Sequence, residues 1–322
     1  YIELFMQHGN QESELYVNGS EELTMSVDAK KFDSSLKFTG KGNEVANFSA
    51  MHVRDKGLVM MFGKKMGPVY VKGPDEFIPA AKAEIQIEMD YLAAHKKGLP
   101  ADFIRYWQDH YTYALYGAML NYPFFHERYK NNAMPSTIPK ENYKVALQVP
   151  EQFDDKGMEL PVYTQYLTEF YSTRLDAAGI MNSSDSAGEI VYTQDDSTAK
   201  LANANMPSKT RAYYFASKLY RGAKMYPMDK LEADYAIFTK QFPASEYNDE
   251  LEEVVSLRRK MQAGQPAMDF ESTTVEGKRM KLSDIKDKVV FLDFWASWCG
   301  PCIREMPGAK KVKEYFKDKT VV

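Results

Sequence analysis

The chain has 322 residues, with 41 Lys plus Arg against 45 Asp plus Glu and a formal charge of −4. Mild acidity argues against a protein whose main business is nucleic acid, because phosphate binding needs a concentrated basic surface. Hydrophobic residues make up 44% and charged residues 27%, the balance of a folded globular chain, and no uncharged apolar run approaches the roughly 18 residues of a membrane span.

Residues 1–42 read as a partial β region. Leu23, Met25 and Val27 alternate with polar neighbours, the period of a half-buried strand, and Tyr1 to Phe5 suits another strand. Gly19 and Gly40 punctuate the runs. So little sheet calls for further strands, from earlier in the chain or from a neighbour. Tyr1 stands where an initiator Met would, and no secretory apolar segment follows it. The sequence is therefore expected to begin inside a longer gene product.

Residues 43–263 show helical spacing and read as an irregular all-α middle domain. Ile78, Ala81, Ile85, Met89 and Leu92 form one stripe, and Ile104, Trp107, Tyr111, Leu115 and Ala118 another. Leu99-Pro100 divides the two helices. Tyr163, Tyr166, Leu167, Phe170 and Tyr171 make a third face. Polar composition predicts loops at about 131–150 and 181–198. Three further faces follow: Ala212, Ala216, Leu219, Tyr220 and Ala223; Leu231, Tyr235, Phe238 and Phe242; Leu251, Val254, Val255 and Met261. Phe242-Pro243 ends a helix, and Ser245 is placed to cap the next. No clean repeat of roughly 34 residues runs through this region, which sets it apart from a tetratricopeptide array.

Ala263-Gly264-Gln265-Pro266 is a linker, and residues 264–322 form a third region. Met268 to Thr273 and Arg279 to Leu282 are predicted strands around a turn at Val275 to Lys278. Val289 to Phe294 is almost unbroken in apolar character, which predicts a central parallel strand buried on both faces. Trp295-Ala296-Ser297-Trp298-Cys299-Gly300-Pro301-Cys302 follows directly and leads into a helix-compatible stretch.

These are the chain's two cysteines. A thiol at a helix N-terminus meets unpaired N–H groups and the positive end of the helix dipole, which favour thiolate. A second thiol one turn later can attack a mixed disulfide formed by the first, so the pair can cycle between dithiol and disulfide. Zinc would need four ligands, and neither further cysteines nor histidines with ligand spacing accompany the motif. A purely structural disulfide over so short a loop stabilises little. Asn18-Gly19-Ser20, Asn47-Phe48-Ser49 and Asn182-Ser183-Ser184 fit the glycosylation acceptor pattern, which chance often produces.

Phe291 to Cys302, with the Pro266 to Phe270 entry, the Glu276-Gly277-Lys278 turn and Ile303 to Pro307, resembles the active-site half of the thioredoxin superfamily, in its extracytoplasmic TlpA/ResA branch. Phe38 to Gly42 and Leu120 to Pro123 more faintly resemble N-terminal regions attached to such domains in some bacteria. The resemblance implies an α+β multidomain chain: a partial β region, the all-α middle domain and the N-terminal half of a thioredoxin-like α/β fold. It implies a thiol-disulfide oxidoreductase that reduces protein disulfides, with Cys299 as exposed nucleophile and Cys302 as buried resolving thiol. Asp293 would be the buried carboxylate that takes the proton from Cys302, with its pKa raised by burial. Trp298 would pack beside the site and shield it, Gly300-Pro301 would tune the potential, and Pro307 would kink the helix. Further strands, a cis-proline facing the disulfide and a last helix are implied beyond residue 322, so this stretch alone is expected to be inactive.

Implied partners are protein disulfide or dithiol clients and a thiol electron donor. No flavin, nicotinamide or metal site is visible. The implied location is the periplasm or outer envelope of a bacterium, with lipid anchoring through a segment before residue 1. A reading of a different class makes the chain a partner-binding envelope protein, in which the helical region carries the function.

Overall fold

The computed structural model describes residues 1–9, 11–58, 66–177, 194–287 and 289–316. Strands β1 (Ile2–His8) and β2 (Gln11–Val17) form an antiparallel hairpin with Ile2 opposite Val17. Strands β3 (Glu22–Ser26) and β4 (Lys37–Lys41) form a second, with Leu23 opposite Gly40. Gly40 has φ 103°, and a Cβ there would strike the Glu22 carbonyl oxygen. Only glycine fits that close antiparallel approach without strain.

The hairpins rest on α1 (Asn43–Lys56), which starts after Gly42 in the left-handed region. A small core joins Phe38, Ala46 and Ala50 with Met6, Leu15, Leu23 and Leu36. Tyr16 of β2 reaches further, its ring 5.8 Å from those of Phe103, Tyr106 and Trp107.

Helices α2 (Pro74–His95) and α3 (Ala101–Asn131) carry the two predicted stripes and are separated at Pro100. Ala81, Leu92, Trp107, Tyr111 and Ala118 are buried, and the rest of the stripes pack beside them. The loop predicted at 131–150 contains a short helix, α4 (Tyr143–Ala146), packed against α2, α3 and α5 (Pro161–Ala177). Tyr143, Val145, Ala146 and Val149 are buried there, an apolar cluster that outweighs its polar flanks.

All five predicted face residues of α5 are buried. Its tyrosine hydroxyls fix the preceding segment. Tyr166 donates to the Pro150 carbonyl at 2.8 Å, Tyr171 donates to Glu151 at 2.8 Å, and Tyr163 accepts from the Asp154 N–H at 2.8 Å. Buried aromatic bodies with satisfied hydroxyls therefore tie helix to loop.

Most of the second predicted loop lies outside the described residues, and its last part begins α6 (Gln194–Asn205). Helices α7 (Ser208–Gly222), α8 (Met228–Gln241) and α9 (Asn248–Lys260) enclose a second core around Leu219, Leu231, Phe238, Leu251 and Val255. Tyr220 and Met261 were expected on the buried faces but are exposed. Tyr220 sits one position off the stripe, and Met261 lies past the last helical turn. Ser245 accepts from the Tyr247 N–H at 3.3 Å, whereas Tyr247 occupies the N-cap position and gives no side-chain cap.

Beyond α9 come a hairpin of β5 (Glu271–Thr273) and β6 (Arg279–Lys281) and then α10 (Gly300–Tyr315). The central strand expected at 289–294 is not formed. Phe291 is 66% exposed and Phe294 81%. A parallel strand exists only through its neighbours, and among the described residues none lies alongside this segment. Helices with few strands make the architecture α+β, and among the described residues no helix is long and apolar enough to cross a membrane.

Candidate redox site

The approach to the site is a closed hairpin. The Thr274 N–H donates to the Lys278 carbonyl at 2.8 Å, with Gly277 at φ 81° in the turn. Asp269 accepts from both the N–H and the hydroxyl of Ser283 at 2.8 Å. The Ser283 hydroxyl, then its N–H, holds that carboxyl below its ordinary range. These bonds fix where the chain leaves toward the cysteines.

Cys299 is the N-cap residue of α10, with extended backbone, and its N–H donates to the Ala296 carbonyl at 2.9 Å. Gly300 and Pro301 form the first helical positions. Proline costs nothing there, because its missing N–H has no intrahelical partner at a helix start. Cys302 follows within the same turn, and Cys299 and Cys302 are joined as a disulfide with Cα atoms 5.3 Å apart. The Cys302 N–H points at Cys299 Sγ, 3.3 Å away. Sulfur at the N-cap thus receives a helix-end N–H, the kind of contact that stabilises a thiolate. Pro307 lies inside α10.

The two cysteines are both half-buried, so exposure does not separate them into an outer and an inner thiol. Asp293 is exposed, unlike the buried carboxylate expected, because no strand flanks its segment among the described residues. Trp298 is 86% exposed and gives the disulfide no cover, again contrary to expectation. Trp295 and Phe294 are exposed beside it. The site is therefore a disulfide at a helix start within an open apolar surface. Among the described residues no group of three or more His, Cys, Asp or Glu side chains is placed to hold a metal ion.

A second concentration of ionisable groups escaped the sequence reading. His52 on α1 and Glu88 on α2 are buried together, with His52 Nε2 2.7 Å from Glu88 Oε2. The available signal was register: His52 continues the stripe of Val45, Phe48 and Ser49, and Glu88 falls between Ile85 and Leu92. A polar residue at an apolar position suggests a buried partner without naming it.

Residues 263–322 match the AhpC/TSA family. A thiol-disulfide oxidoreductase ResA of Bacillus thuringiensis (strain Al Hakam) is 45% identical over 64 residues, 20% of this chain and 37% of that relative. The thioredoxin-like protein YneN of Bacillus subtilis (strain 168) is 45% identical over 62 residues, 19% of this chain and 36% of that relative. The ResA of the same organism is 43% identical over 58 residues, 18% of this chain and 32% of that relative. The chain thus spans about a third of the length of the curated relatives it matches. No solved structure matches it significantly. The last fifth of the chain is similar to thioredoxin-like thiol-disulfide oxidoreductases, and the similarity includes the segment that carries both cysteines.

Proposed function

We propose that this chain belongs to a thiol-disulfide oxidoreductase that reduces protein disulfides through Cys299 and Cys302 in a bacterial cell envelope. The observation that carries the reading is the seat of Cys299 at the N-cap of α10, with Cys302 in the first turn of that helix and the pair already able to close. Cys299 thiolate attacks one sulfur of a client disulfide, and the other client sulfur leaves as thiolate. Cys302 thiolate then attacks Cys299 Sγ, closing the intramolecular disulfide and releasing the second client thiolate. Two electrons pass to the client, and an external dithiol restores the pair. Asp293 is the proposed acceptor of the Cys302 proton, Gly300-Pro301 tune the potential, and Trp298 contributes client-facing apolar surface. The envelope location rests on the resemblance to the TlpA/ResA branch.

On this reading residues 264–322 are part of a thioredoxin-like domain whose turnover needs the remainder of that fold, and residues 1–42 and 43–263 select or dock clients. In the full-length gene product, Cys302→Ser is expected to accumulate mixed disulfides with clients through Cys299, visible on non-reducing gels. Capture only by Cys299→Ser would reverse the two roles.

One observation favours a second reading, a partner-binding protein: among the described residues the buried core clusters all lie before residue 260, while the matched relatives align with about a fifth of the chain. A variant with both cysteines replaced by Ser separates the two. Retention of the same partners at wild-type levels supports binding by the helical region, and their loss supports the thiol reading.

A further inference from the structure

Four ionisable side chains from four elements meet in the interior between β2, α1, α2 and α3. Glu14, His52, Glu88 and His110 are 0%, 1%, 2% and 7% exposed. The His52–Glu88 contact at 2.7 Å joins α1 to α2. The His52 ring lies 5.0 Å from Trp107 on α3 and 5.2 Å from Tyr91 on α2. From α3, Tyr111 is hydrogen-bonded to Glu88 and sits in the field of Glu14. From β2, Glu14 faces Tyr16 and Tyr106, and Glu3 of β1 accepts from the Tyr16 hydroxyl at 3.1 Å. His110 stands beside Tyr111 on α3 and faces His52.

Such a cluster has room for few charges. Removing a charged group from water is costly unless a partner and hydrogen bonds offset it. His110 is buried with His52 as its facing ionisable group, and removing an imidazolium from water, more than the neighbouring histidine, opposes proton uptake there. The closed packing therefore selects against proton uptake by His110, whereas an opened state hydrates that imidazole and lets it take a proton. Burial, then the facing His52, holds His110 neutral down to about 4. An exposed histidine becomes charged near 6.5. A base whose pKa is depressed in the closed state binds fewer protons there than in the open state between those values. The closed state is thus fully favoured above about pH 6.5 and loses ground as pH falls toward about 4.

We propose that Glu14, His52, Glu88 and His110 form an acid-sensitive latch that holds the β1–β2 hairpin and α1 against α2 and α3 near neutral pH and releases them together on mild acidification. Release loosens the N-terminal layer and leaves the second core, α7 to α9, intact, because that core shares none of the four groups. The latch depends on the burial of this cluster and not on the thiol reaction.

Hydrogen exchange of the intact oxidised protein, corrected for the intrinsic effect of pH, tests the latch. Between pH 7 and pH 5 the protection of residues 11–17 and 43–56 is expected to fall about tenfold or more, while residues 208–260 keep theirs. In His110→Gln the fall is expected to shrink below about threefold. Unchanged protection at 11–17 and 43–56, a uniform loss over all helices, or a wild-type response in His110→Gln would each overturn the proposal. If that variant does not fold, the wild-type His110 ring signal decides by NMR. Protonation that tracks the opening of 11–17 supports the latch, and protonation within the closed state contradicts it.

Discussion

Trp107 is 1% exposed and packs its ring 5.0 Å from both Phe48 and His52 and 5.7 Å from Tyr111. Replacing it with Ala opens a large cavity among aromatic groups that cannot easily collapse. Trp107→Ala is expected to lower the unfolding free energy by about 3–5 kcal/mol in urea denaturation. Tyr166→Phe leaves the packing intact but removes the hydroxyl that donates to Pro150 and accepts from Gln152, so a smaller loss of about 1–2 kcal/mol is expected by the same measurement. At this scale the sequence was most legible where apolar spacing repeated: Trp107, Tyr111, Tyr163 and Phe170 are all buried as their periodicity predicted. His52 and Glu88 were not legible as a pair, because they lie 36 residues apart and only the packing of α1 on α2 brings them together. Cys299 and Cys302 needed no such help, since one helical turn relates them.

Among the elements, the second hairpin has the most exacting position. Gly40 combines a left-handed φ with a close approach to Glu22. Gly40→Ala is expected to destabilise the protein by more than about 1 kcal/mol, seen as a lower thermal midpoint, because strain and clash both act. An unchanged midpoint would mean that β3 and β4 can separate freely there. Helix α5 followed directly from its five-residue face, as did the separation of α2 from α3 at Pro100. Two elements misled in opposite directions. Helix α4 hid in a polar stretch because its few apolar residues are decisive only once α2, α3 and α5 surround them. The apolar run at 289–294 suggested a buried strand, but composition supplies only the apolar faces; pairing partners supply the strand.

For the molecule as a whole, two larger cores lie before the cysteine segment, one from Tyr16 of β2 to Tyr214 and one from Ala216 to Val255. Leu231 is fully buried in the second. Leu231→Ala is expected to raise hydrogen exchange in α7 to α9 well before it affects β2 or α1, as local stability follows local packing. Equal loss everywhere would show that the cores unfold as one. The cysteine segment belongs to neither core, which leaves Trp298, Gly300 and Pro301 exposed around the half-buried disulfide, within reach of reagents and partners. That accessibility makes the central claim, a reversible two-electron thiol pair, open to direct measurement. The intact chain can be equilibrated across a dithiol/disulfide buffer series and its free thiols counted by alkylation and mass spectrometry. The expected result is a single two-electron transition in which Cys299 and Cys302 are labelled together. A pair that stays oxidised at every buffer poise, or thiols that label independently of each other, would contradict it.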